Sequence, residues 1–272
     1  MKIDYEKLID EYCLFDNEFM RKCLLERPEC AELILKIILP QIKGLKITEI
    51  KPEYEIDNLV RRSIFLDAYV VDEEGTLYDI EIQRADKGAS PKRARYNGSM
   101  MDVDFLKKGQ DFDKLPIRYV IFISENGYKC NDKPLREFCM RSLDDGEMLG
   151  DETHIIYVNG KNKDDSELGK LMCDMNNPDP DTMNYKMLSE IVGSFKKTKK
   201  GKGSIMRYSE KLYNDAINEG KIEGKIEGKM EGKIEALLSL VKDGLITIQQ
   251  AAERMGMTIE KFEKEAKNLA LL

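Results

Sequence analysis

The stretch from Ser63 to Gln83, SIFLDAYVVDEEGTLYDIEIQ, constrains the fold more than any other. Two runs rich in β-branched and aromatic residues flank the turn signal Asp72-Glu73-Glu74-Gly75, the pattern of a β-hairpin. Centring the turn on Glu74 places Asp67 opposite Glu81 and Asp79 opposite Tyr69. Directly opposed residues share a face, with Cβ atoms about 4.5 to 5.5 Å apart. The expected acidic face therefore holds Asp67, Asp79, Glu81 and Gln83, while Leu66, Ala68, Ile80 and Ile82 point the other way. Two carboxylates this close repel unless a proton or a cation lies between them. A hard divalent cation fits best: Mg²⁺ is bound through one or two carboxylates and keeps waters, leaving room for a phosphate oxygen and an attacking water. The plainer alternative is an exposed hairpin face whose acids are merely solvated. Its surroundings tell against it, because Arg84 follows at once and then a basic helix with Lys92, Arg93, Arg95 and Tyr96.

The rest of the chain suggests what encloses the hairpin. Residues 16–39 have apolar positions at helical spacing, and Pro28 should kink or divide that helix. LKITEIKPEYEI (45–56) has strand character. SPKRARYNGSMMDVDFLKKG reads as a helix entered through Ser90 at the N-cap and Pro91 at the first helical position. IRYVIFIS suits a buried central strand and THIIYVN a second. The order predicts an α/β domain, a mixed β-sheet flanked by helices, over residues 1–195. A basic, flexible linker is expected at 196–207, a Glu-Gly-Lys repeat helix at 208–240, and a helix-turn-helix-like hairpin at 241–272.

The repeat EGKIEGKIEGKMEGKIE puts each residue type on its own helical row, drifting about 40° per repeat. Its i,i+4 neighbours are Glu with Glu and Lys with Lys, which disfavours an isolated helix. A second helix could set its Glu row beside this Lys row, with Gly220, Gly224, Gly228 and Gly232 permitting close approach. Self-association into a homo-oligomer through the C-terminal helices is one expectation; a plain helical spacer is the equal alternative. The hairpin reads as an interaction or dimerisation element rather than a DNA reader, because Glu260, Glu263 and Glu265 offset Lys261, Lys264 and Lys267 where a helix in the major groove should be basic.

Several function classes are excluded. The net charge of −7 argues against a protein that coats nucleic acid through a global positive field, although local basic stretches allow contact with phosphate. One histidine and six cysteines without a CxxC pair argue against a zinc site, and no GxSxG occurs. No window holds the roughly 18 apolar residues a membrane helix requires, and the start lacks a signal peptide's apolar core. A cytoplasmic protein with no membrane partner is expected.

An aspartate, a short hairpin and then Glu-x-Gln resembles the signature of the PD-(D/E)xK nuclease superfamily. LDAYVVDEEGTLYDIEIQ, together with RARYNGSMMDVDFLKKGQDFDKLPIRYVIFIS and the Glu-Gly-Lys-Ile repeats, is similar to its recombination-promoting nuclease and putative transposase family. The resemblance implies a restriction-endonuclease-like fold and a metal-dependent DNA endonuclease associated with transposition or recombination. Mg²⁺ would be the cofactor, with Mn²⁺ able to substitute. It assigns Asp67 and Glu81 as metal ligands and Gln83 to the slot usually held by lysine. Glu32, Glu29 and Asp79 are candidates for an additional acid, and Arg84, Lys92, Arg93, Arg95 and Tyr96 for phosphate contact. A glutamine can orient water but brings no charge, so the metal and Arg84 or Arg95 must supply more of the electrostatics. The competing reading is a catalytically weak or inactive nuclease-fold protein acting as a DNA-binding or oligomeric scaffold.

Overall fold

The structure, a computed structural model, describes residues 5–57, 63–84 and 86–269. They form two compact units, Met1–Tyr208 and Ser209–Leu272. The first opens with helices α1 (Tyr5–Glu11), α2 (Asn17–Glu26) and α3 (Glu29–Ile38). Pro28 divides α2 from α3, since its ring cannot continue a helix. Strands β1 (Ile47–Ile56), β2 (Ile64–Asp72) and β3 (Leu77–Gln83) follow, then helix α4 (Pro91–Phe105) and β4 (Arg118–Ser124). A four-residue strand β5 (Leu135–Phe138), β6 (Thr153–Asn159), α5 (Glu167–Met175) and α6 (Lys186–Lys196) complete the order.

The six strands form one mixed sheet in the order β1-β2-β3-β4-β6-β5. β1, β2 and β3 run antiparallel, β3, β4 and β6 parallel, and β5 antiparallel to β6. β4, buried at every position, sits centrally as its unbroken apolar run requires. The hairpin has the expected register, with Tyr69 opposite Asp79 and Ala68 opposite Ile80. Asp72 fixes its turn: its carboxylate accepts from the backbone N–H groups of Glu74 and Thr76 and from the Tyr78 hydroxyl at 2.7 Å.

One face of the sheet packs Ala68, Val70, Tyr78, Ile80, Ile82, Ile121 and Ile123 against Phe19, Leu24, Ile34 and Leu35 from α2 and α3. The other packs Tyr69, Leu77, Val120, Phe122 and Tyr157 against Ala94, Met100 and Met101 of α4. Leu66, expected beside Ala68, belongs to this second cluster instead. The β2–β3 ladder runs no further than Ala68 and Ile80, and at Asp67 a side-chain carboxylate takes the N–H of Ile82, so the regular alternation ends there.

The flexible linker expected at 196–207 is folded. Helix α7 (Lys199–Lys242) begins inside it. The Lys196 ammonium is buried and donates to the carbonyls of Asp10, Tyr12 and Pro178, which satisfies a charge that would otherwise keep the segment in water. Gly201 serves close approach rather than freedom, because a Cβ there would lie 2.2 Å from the Ser194 carbonyl oxygen. Ile205 joins the core, and the first unit extends to Tyr208.

The second unit has its own small core of Ile234, Leu238, Ala251, Ala252, Phe262 and Ala266, formed by the end of α7 with α8 (Ile248–Arg254) and α9 (Ile259–Asn268). Thr247 and Gln250 form a capping box, and Gly256 turns the chain at a φ of +65°. No helix among the described residues is long and apolar enough to cross a membrane.

Candidate functional site

The acidic residues of β3 lie under α4 and are sealed from solvent. Asp79 and Glu81 have no exposure and Asp67 has 5%. α4 is locked over them by Arg118, which pairs with Asp102 at 2.9 Å and lies against Gly98, the residue whose missing side chain leaves room for it. From α4, Asn97 Nδ2 donates to Asp79 Oδ2 at 3.0 Å and to Glu81 Oε1 at 3.1 Å. Arg93 pairs with Glu81 Oε2 at 2.6 Å, and Gln83 Nε2 donates to the same oxygen at 3.1 Å. Gly88 lets the Gln83 amide take this position, since a Cβ there would meet Gln83 Oε1 at 1.7 Å.

Asp67 is held from the opposite side. Its Oδ2 accepts from the Ile82 N–H at 3.1 Å and its Oδ1 pairs with Arg21 of α2. Arg21 also pairs with Glu53 of β1 at 2.7 Å, and Tyr208 donates to Glu53 at 3.1 Å. Glu53 has a φ of +54°, the sparsely populated left-handed region that non-glycine residues adopt at the cost of strain. The β1–β2 pairing is regular on either side, Pro52 with Ala68 and Tyr54 with Leu66.

Three buried acids therefore share one corner of the sheet. Burial pushes the Glu81 carboxyl up, and the charges of Asp79 and Asp67 push it further, against the pull of Arg93 and Arg21. Burial raises Asp79 as well, with Asp67 adding to the shift while the Asn97 hydrogen bond and Arg93 oppose it. Asp79 Oδ1 has no hydrogen-bond partner among the described residues. This donor set, three hard carboxylate oxygens that repel one another, suits a divalent cation. Arg21 and Arg93 supply the positive charge in the present arrangement, and no group of three His, Cys, Asp or Glu among the described residues is gathered to hold an ion.

A groove of about 880 Å³ opens beside the acids, lined by Ser63, Phe65, Gly88, Lys92, Arg93, Arg95, Tyr96 and Asn97. Four of the five residues expected to contact phosphate, Lys92, Arg93, Arg95 and Tyr96, line it. Arg84 does not: it pairs with Asp16 at 3.1 Å and reaches Glu125 at 3.9 Å. Glu32 and Glu29 sit on α3, paired with Lys36 and Arg27 rather than with the acids of β3. Of the three candidates for an additional acid, Asp79 is the one placed near Glu81, the Asn97 amide donating to both carboxylates. Sequence reasoning missed Arg21, Glu53 and Asn97. Asn97 alone carried a local signal, four residues after Arg93 and so on the same helical face.

Residues 29–170, just over half of the chain, match the family described as PD-(D/E)XK nuclease family transposase. The chain belongs to that family. Its mixed sheet with flanking helices is the restriction-endonuclease-like fold, and nuclease activity related to transposition is the family's character. No curated protein and no solved structure matches the chain. The matched span contains Asp67, Asp79, Glu81, Gln83 and all of α4. Arg21 and the C-terminal unit lie outside it.

Proposed function

We propose that this family member is a Mg²⁺-dependent DNA endonuclease serving transposition or recombination, with Mn²⁺ able to replace Mg²⁺. The observation that carries the reading is the burial of Asp67, Asp79 and Glu81 together next to α4, whose Lys92, Arg93, Arg95 and Asn97 line a basic groove. Asp67 and Glu81 would hold the cation, with Asp79 beside them, once their guanidinium partners yield. When bound, the cation supplies Lewis-acid charge to a phosphate oxygen and lowers the pKa of its water. Lys92, Arg95 and Tyr96 grip backbone phosphates along the groove, contacts that position DNA without reading its sequence. The Gln83 amide orients the attacking water. The water oxygen bonds to phosphorus, the bond to one ester oxygen breaks, and that oxygen leaves with a proton as a hydroxyl while the other strand end keeps the phosphate.

Plasmid cleavage tests this directly. The full chain should nick or linearise DNA with Mg²⁺ or Mn²⁺ and be silenced by a chelator, and Asp67→Ala should not cut. Equal behaviour of Asp67→Ala and the parent would refute the enzyme reading and favour the scaffold.

We also infer that the chain self-associates through α7. The Gly224, Gly228 and Gly232 positions, where a Cβ would meet nothing within 4 Å, leave backbone open to a second helix. Light scattering should give a multiple of the chain mass, reduced to the monomer by Gly228→Leu with Gly232→Leu; an unchanged mass rules α7 out as the interface.

A further inference from the structure

We propose that Arg93 supplies, from α4, the positive charge that Gln83 lacks, and is a catalytic residue contacting the phosphate under attack. The inference rests on the nuclease reading above and deepens it. Arg93 and Gln83 donate to the same Glu81 oxygen, at 2.6 and 3.1 Å, which sets the guanidinium beside the amide that occupies the lysine slot. Among the basic residues of this stretch whose side chains are described, Arg93 alone pairs with Glu81. Arg84 turns to Asp16 and Glu125, and Lys92 and Arg95 line the groove with no ion pair to Glu81. The Arg93 side chain is held from two more directions, donating to the Gly88 carbonyl at 3.1 Å and lying 6.0 Å from the Phe122 ring centre. It is nevertheless about one-third exposed and lines the groove that a phosphate would enter.

The chemistry matches the vacancy. An arginine stays charged at any working pH, and its planar fork fits two phosphate oxygens at once. Glu81 is buried and beset by Asp79 and Asp67, so it needs a positive partner when no other cation is near. Arg93 is that partner in the present arrangement. An ion held by Glu81 would take over that pairing and leave the guanidinium free to pair with a phosphate entering the groove it lines.

The decisive experiment pairs two substitutions. Arg93→Met keeps the length of the side chain and removes its charge; Gln83→Lys restores a charge in the same place from the strand. Cleavage of duplex DNA in Mg²⁺ and affinity for the same duplex in Ca²⁺, by fluorescence anisotropy, are measured for the parent, both single variants and the double variant. Arg93→Met should lose roughly 100-fold in cleavage and several-fold in affinity, and the double variant should recover most of both. Parent-like cleavage by Arg93→Met, or a loss that Gln83→Lys does not repair, would overturn the assignment; so would a fall in Tm of Arg93→Met that Gln83→Lys restores in step with cleavage, because a lysine beside the same Glu81 oxygen would also repair a purely structural pairing. If the parent itself does not cut, the nuclease reading fails on its own terms. The anisotropy arm then decides whether Arg93 and position 83 share one phosphate-binding slot: rescue of affinity upholds it and absence of rescue overturns it.

Discussion

The first unit buries two kinds of carboxylate, and they are built on opposite principles. Asp72 and Asp174 are surrounded by neutral donors. Asp174 accepts from the backbone of Asn184 at 2.7 Å and of Tyr185 at 2.8 Å, and from the Asn184 amide at 2.8 Å. Asp72 ties off the hairpin turn in the same manner. Each is a local staple whose charge is spread over N–H groups that would otherwise be unsatisfied. Asp67, Asp79 and Glu81 instead crowd one another, lean on two guanidiniums, and leave one oxygen without a partner among the described residues. A fold has no need to put three acids together in its interior; retaining them costs stability and marks this corner as a candidate functional site.

That contrast can be broken most forcefully by substitution. Asp67→Ala and Glu81→Ala should each lower metal-dependent cleavage by roughly 100- to 1,000-fold or more while leaving the fold intact. Asp174→Ala should do the reverse, leaving cleavage per folded molecule unchanged and costing about 2–4 kcal/mol in urea unfolding, because the N–H groups of Asn184 and Tyr185 lose their acceptor. A loss of cleavage per folded molecule in Asp174→Ala as large as that in Asp67→Ala would erase the distinction.

pH separates the two kinds more finely. Burial and mutual repulsion raise Asp79 and Glu81, so without metal the folded chain binds their protons more tightly than the unfolded chain does. Stability from these groups is therefore fully present below the ordinary carboxylate value of roughly 4 and declines as pH rises toward the raised values. Between pH 5.5 and 8.5 the metal-free Tm should fall by roughly 3–8 °C, and Asp79→Asn should flatten the decline. A Tm that rises over this range in parent and variant alike would contradict the account. The smallest effect belongs to Arg84→Ala. Its half-exposed pairs with Asp16 and Glu125 should be worth less than about 1 kcal/mol, with cleavage unchanged; a large loss of cleavage would return Arg84 to the DNA-binding surface.

The same contrast explains what could be read from the chain alone. The hairpin, its register, the division at Pro28, the Ser90 cap of α4 and the buried β4 are local patterns, specified by alternation, turn residues and capping within a few positions. The partners of Asp67 are not local. Arg21 lies 46 residues from Asp67 and 32 from Glu53, on a helix stripe that reads only as polar surface. The strain at Glu53 has no sequence signature, since any acid on a strand would look the same. β5 is too short, at four residues, to show a period. Lys and Gly at 196–207 read as a linker, whereas the Asp10 and Tyr12 carbonyls that hold Lys196 come from more than 180 residues away, and the tight contact at Gly201 depends on how α7 turns back on the end of α6.

The measurement that bears most directly on the central claim is calorimetric titration of the metal-free full chain with Mn²⁺ at pH 7.5, in two buffers of different ionisation enthalpy. Burial and mutual repulsion raise Asp79 and Glu81, and a cation binds their ionised forms, so binding should displace the protons they hold. The account predicts saturable binding with net proton release, both abolished together in Asp67→Ala with Glu81→Ala. Binding that survives this double substitution, or no saturable binding at all, would contradict it.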